Sequence, residues 1–158
     1  MPPKAHAWVG PSSIARVLAC PPSARFSEQF PDTESDFAAE GTEAHELCEY
    51  LVRKALGEKV RNPKKKLKFY NAEMQECAEG YAAYIMELYE TAKQNCTTTE
   101  IMLEQRVDVS EYIPECFGTA DCIIVADGTM TISDYKHGMG IKAVSYTHLR
   151  AHETRHDL

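Results

Sequence analysis

Apolar residues recur at helical spacing through two long stretches and then at alternating spacing through three short ones. Ala44, Leu47, Cys48, Leu51, Val52 and Ala55 mark one face of a helix. Ser35 or Asp36 opens it and Gly57 closes it after Leu56, because glycine tolerates the left-handed conformation that ends helices. A longer helix starts from an Asn71 cap and runs to about Asn95. Met74, Cys77, Ala78, Tyr81, Ile85, Leu88 and Tyr89 lie on its packed side. Ahead of both, Ser12 or Ser13 caps a short helix through Leu18 that stops before Pro21-Pro22. Phe26–Asp36 reads as a loop with a turn at Pro31-Asp32.

The second half changes period. Ile101–Val109 alternates as a strand, and Tyr112–Glu115 turns around Pro114. Phe117–Lys136 then forms two strands reversed at Asp127-Gly128, a dipeptide that supplies the positive φ both turn positions need. With that two-residue loop, Ala126 faces Thr129 and Asp121 faces Asp134, with Lys136 on the same side of its strand. Ile123, Val125, Met130 and Ile132 share that side, whereas Thr129, Thr131 and Ser133 make the other one wetter. The helices are therefore expected to cover the side carrying the two acids and the amine. Directly opposed carboxylates have Cβ atoms roughly 5 Å apart and repel by about 3 kcal/mol at an effective dielectric near 20. Either one of them is protonated or a cation sits between them. His45 falls at the edge of the first long helix's buried face, one turn after Gly41. A glycine inside a helix costs about 1 kcal/mol relative to alanine, which suggests that something approaches closely there.

Composition narrows the class. The chain of 158 residues is about one domain, with an ordinary apolar fraction of 44%. No apolar run reaches the roughly 18 residues of a membrane span, and no secretory signal opens the chain, so a cytoplasmic protein with no membrane partner is expected. The six cysteines include no CxxC pair and read as reduced thiols. A net charge of −7 argues against a general nucleic-acid-coating protein, although carboxylates at a metal site would add to the negative count. The stretch from about Ala143 onward, AVSYTHLRAHETRHDL, has no apolar period and holds three of the six histidines. It resembles translated adapter sequence. Residues 1–142 are read as the domain and 143–158 as a non-native tail, with the natural chain continuing differently after Lys142. His148, His152 and His156 are accordingly given no function.

G-T-A-D ending at Asp121, a hairpin, D-Y-K at Asp134–Lys136 and an upstream helix carrying G-T-E-A-H ending at His45 together resemble the PD-(D/E)XK nuclease superfamily. The closest likeness is to its RecB-type exonuclease branch and a phage-encoded family within it, over about residues 6–142. SSIARVLACPPSARF and AAEGTEAHEL add to the likeness. The resemblance implies an α/β (α+β) fold with a restriction-endonuclease-like core: N-terminal helices, then a three-stranded, mainly antiparallel sheet, incomplete at the C-terminus. It implies that Asp121 and Asp134 bind Mg²⁺ or Mn²⁺, with His45 and the backbone carbonyl of Tyr135 as further ligands, and that Lys136 is catalytic. It also implies a metal-dependent DNA exonuclease of the bacterial-host cytoplasm, serving phage recombination or DNA end processing, with a phage single-strand-annealing protein as a possible partner. A glutamine-and-tyrosine helix that usually follows D-x-K has no counterpart before Lys142. Oxygen-ligated ions of this class activate water and neutralise phosphate charge, and an ammonium stabilises charge as it develops.

Other residues carry two readings each. Glu104 and Asp108 share a strand face and either join the acidic site or are solvated. Arg61, Lys64, Lys65, Lys66 and Lys68 either touch DNA phosphates or form a solvated connector. The alternative to a nuclease is a catalytically silent relative that binds DNA or protein with the same fold.

Overall fold

The computed structural model describes residues 10, 13–27, 29–30, 35–114 and 116–138. The Pro31-Asp32 turn, the boundary at Lys142, and His148, His152 and His156 lie outside the described residues. Among the described residues four helices precede three strands, an α+β arrangement: α1 (Ile14–Ala19), α2 (Ser23–Ser27), α3 (Asp36–Ala55), α4 (Ala72–Asn95), β1 (Thr99–Asp108), β2 (Phe117–Ala126) and β3 (Thr129–Ser133). The sheet is antiparallel in the order β1-β2-β3.

The caps follow from side chains. The Ser35 hydroxyl accepts from the Ala38 N–H at 3.2 Å, and the Asn71 side chain accepts from the Met74 N–H at 2.7 Å, opening α3 and α4. Gly57 ends α3 at φ 84. Part of the stretch expected as loop is helical instead, because α2 begins directly after Pro22 and takes in Phe26 and Ser27. A proline pre-sets the φ of a first helical turn.

Between α3 and α4, the basic connector docks through Glu43, whose carboxylate accepts the N–H groups of Lys68 (2.7 Å) and Phe69 (2.6 Å). At the far end, Asp127 (φ 44) and Gly128 (φ 81) make the expected two-residue reversal. The Asp127 carboxylate also accepts from the N–H groups of Thr97 and Thr98, each at 2.9 Å. The hairpin turn is thereby pinned to the link between α4 and β1.

Ala44, Leu47, Cys48 and Val52 of α3 meet Met74, Ala78, Tyr81, Ala82 and Ile85 of α4 in one core. Cys77 and Ala55, expected on the packed sides, are exposed. The sheet contributes Cys122, Ile124, Ile101, Leu103 and the following Tyr135 to this core. The covered side is therefore the one opposite to that expected, since Met130 and Ile132 are 45% and 40% exposed. The reason lies in β2, where Cys122 to Val125 are apolar on both sides and cannot choose a face. β1 decides it, because Ile101 and Leu103 stand across from Ile124 and Cys122.

Candidate functional site

Hairpin pairing runs from Ala126↔Thr129 to Cys122↔Ser133 and stops there, one step short of Asp121 and Asp134. Beyond Ser133 the chain leaves the ladder, and Asp121 takes over the bonding: its Oδ2 accepts the Tyr135 N–H at 2.6 Å. Oδ1 of the same carboxylate lies 3.2 Å from His45 Nδ1, with the Asp121 side chain 12% exposed and that of His45 30%. A helix residue and a strand residue far apart in sequence thus meet at the sheet's unzipped end.

A third group comes from β1. The pairs Leu103↔Cys122 and Gln105↔Ala120 flank Glu104 and Asp121, which stand opposite each other without pairing. Glu104 has φ 50, in the left-handed region where a non-glycine side chain costs about 1–2 kcal/mol. Arg53 holds the chain just before this kink. Its Nη2 donates to the Leu103 carbonyl at 3.4 Å, while Nε and Nη1 pair with Glu49 (2.7 Å) and Glu58 (3.1 Å). The result is a cluster in which one donor atom each from His45, Glu104 and Asp121 lies within 4.8 Å of the others. Alternation along β1 does not predict that convergence.

Electrostatics follow from the packing. The hydrogen bond to Asp121 raises the His45 pKa above its ordinary value, against the opposing pull of burial. Burial, then the Asp121 carboxylate, raises that of Glu104. Burial pushes the Cys48 and Cys122 thiols up to about 12, so both stay neutral. The Tyr135 ring anchors the arrangement from behind. Its centroid lies 5.6 Å from that of His45 and 5.2 Å from that of Tyr81, and its hydroxyl is 3.2 Å from His137 Nδ1. His137 Nε2 in turn lies 3.5 Å from Glu40 Oε1.

Of the residues singled out by sequence, His45 and Asp121 are brought together. Glu104 joins them, while Asp108 stays exposed and accepts from the Ser110 N–H at 2.8 Å. Asp134 and Lys136 form a tight ion pair with each other, their side chains 53% and 68% exposed, outside the three-donor cluster. Both are exposed, past the end of β3, rather than covered by the helices as expected. For Tyr135, the observed link to the cluster is its N–H on Asp121 and its buried ring. Among the described residues nothing lies within 4 Å of a methyl placed on Gly41, so none of them makes the close approach its position suggests. A cavity of about 230 Å³ lies between α3 and the connector, lined by Glu49, Arg53, Arg61 and Pro63 among others; of the residues singled out by sequence it includes Arg61 but none of the three-donor cluster. Its chemistry is already satisfied by the Arg53 pairs.

Among the described residues, no helix is long and apolar enough to cross a membrane. The family described as protein of unknown function, DUF2800, matches residues 6–149. No solved structure matches the chain.

Proposed function

The chain belongs to the DUF2800 family, and from that premise we propose that it is a metal-dependent DNA exonuclease of the PD-(D/E)XK type, akin to RecB-type enzymes. The observation that carries this reading is the 3.2 Å contact between His45 and Asp121. It joins the two segments, G-T-E-A-H and G-T-A-D, that the resemblance pairs in one site.

The donor set fits the ion. One imidazole and two carboxylates offer donor atoms within 4.8 Å of one another; octahedral bonds of about 2.1 Å space neighbouring ligands about 3 Å apart, so the three side chains would draw together around an ion. The imidazole favours Mn²⁺ over Mg²⁺ as the softer partner. In this reading His45, Glu104 and Asp121 hold the ion, which supplies an activated water and offsets charge on the phosphate. Asp121 is itself oriented by the Tyr135 N–H. Asp134 holds the Lys136 amine at the solvent-facing rim, where it neutralises a phosphate oxygen as charge develops. Arg61, Lys64, Lys65, Lys66 and Lys68 offer the DNA backbone a basic approach. A role in phage recombination or DNA end processing within a bacterial cytoplasm, beside a single-strand-annealing protein, follows from the resemblance.

The test is incubation of the 158-residue chain with linear duplex DNA and Mn²⁺ or Mg²⁺. Loss of DNA from its ends is expected, stopped by EDTA and by Asp121→Ala. Intact DNA, together with no uptake of Mn²⁺ by the protein, refutes the proposal. One observation favours a second reading, a catalytically silent relative: Asp134 and Lys136 neutralise each other outside the cluster. A protein that shifts DNA in a gel without degrading it would establish that alternative.

A further inference from the structure

Among the described residues, three buried side-chain oxygens have no hydrogen-bond partner within the protein: Ser23 Oγ, Tyr81 Oη and Thr99 Oγ1. Only Tyr81 adjoins the candidate site. It is 8% exposed, and its ring lies 5.2 Å from that of Tyr135, which touches His45 through its ring and Asp121 through its N–H. A buried phenol hydroxyl with no protein partner is costly unless something else bonds it, so such an atom marks a place where a water or ligand belongs. The groups around it narrow the choice. Burial raises the Tyr81 pKa, and the Asp121 and Asp134 carboxylates raise it further. Tyr81 is therefore a neutral donor in a neighbourhood of acceptors. Thiols accept weakly, whereas a carboxylate offers about four lone-pair positions. Asp121 uses one oxygen for the Tyr135 N–H and the other for His45, which leaves positions for an ion and for a water.

We infer that the Tyr81 hydroxyl donates to a water whose own hydrogen bond goes to the Asp121 carboxylate, making Tyr81 a positioning residue for the His45–Glu104–Asp121 cluster. The inference rests on the proposed metal site. A buried water with partners on two sides is an ordinary structural element. Groups that orient a ligand carboxylate in this way typically account for about 10–100-fold in metal affinity. Tyr81 comes from α4 and packs on the Tyr135 ring, and in this arrangement it fixes the carboxylate without touching the ion.

The probe is Mn²⁺ alone, titrated calorimetrically into the full chain and into Tyr81→Phe, His45→Ala, Asp121→Asn and the Tyr81→Phe/Asp121→Asn pair. Tyr81→Phe is expected to weaken Mn²⁺ binding about tenfold without lowering Tm. Added to Asp121→Asn it is expected to cost nothing more, since its effect passes through that carboxylate. Unchanged Mn²⁺ affinity with a raised Tm, the signature of merely deleting an orphan hydroxyl, overturns the inference. So does a full additional loss in the paired variant. A measurement on the unsubstituted protein guards against a variant that folds poorly: a long-lived water giving NOEs to the Tyr81 ring is expected, and its absence is fatal. Wild-type protein that binds no Mn²⁺, or that binds it equally well after His45→Ala, removes the metal site and this inference together. Failure of Tyr81→Phe alone leaves the metal site standing.

Discussion

Glu104→Gln separates the stability of β1 from the work of its carboxylate. Glu104 faces Asp121 across an unpaired step of the ladder, with donor atoms within 4.8 Å. Two full charges at that separation repel by about 3.5 kcal/mol at an effective dielectric of about 20. The neighbouring His45 and Arg53 side chains offset part of this, and partial exposure of Glu104 screens more. About 1 kcal/mol of net repulsion remains. Gln keeps the shape and the left-handed backbone but removes the charge. In EDTA the variant is expected to melt about 2–4 °C above wild type. Mn²⁺ inverts the order. At about 100 times its Kd a ligand stabilises the folded state by roughly 2.7 kcal/mol, and the variant forfeits most of that gain with its ligand oxygen. Calorimetric melts in EDTA and in Mn²⁺ read both effects. A variant that melts below wild type in EDTA refutes the repulsion; the absence of a crossover in Mn²⁺ refutes Glu104 as a ligand.

Two other outcomes follow from the hairpin and the helices. Hydrogen bonds from the Thr97 and Thr98 N–H groups and the Thr98 hydroxyl hold the Asp127 pKa below its ordinary value. A depressed folded pKa means stability that is present above the unfolded pKa and lost as pH falls through the folded one. Asp127→Asn, which still tolerates positive φ, is therefore expected to melt lower than wild type at neutral pH. The gap should close as the pH drops below the ordinary carboxylate range; a gap independent of pH counts against the carboxylate. Nothing lies within 4 Å of a methyl on Gly128 or Gly80, but only Gly128 has positive φ, at 81. Gly128→Ala is expected to cost about 1–2 kcal/mol, and Gly80→Ala in the middle of α4 to add about 0.5–1 kcal/mol. Urea midpoints of the two variants should move in opposite directions, and equal shifts would contradict the backbone assignment.

Local chemistry settled much of this protein before any packing. Ser35 and Asn71 open their helices because each carries an acceptor one turn ahead of an unpaired N–H. Asp127-Gly128 sets the register of the hairpin because few other dipeptides take two positive φ angles in succession. That register holds from Ala126↔Thr129 to Cys122↔Ser133. The likeness that nominated His45 and Asp121 together was also legible in the residues, and the structure puts the two side chains in contact.

Packing decided what alternation cannot. Cys122 to Val125 are apolar on both sides, so the face that α3 and α4 cover depends on Ile101 and Leu103 across the ladder. Ladder pairing ends at Ser133, which leaves Asp121 to bond the Tyr135 N–H and lets Asp134 turn to Lys136 in solvent. The left-handed kink at Glu104, held beside Arg53, carries a third donor toward the helix. Sequence periodicity describes a regular strand. A candidate site at an irregularity in one, where backbone strain is traded against contacts made elsewhere in the chain, is determined only by the assembled structure.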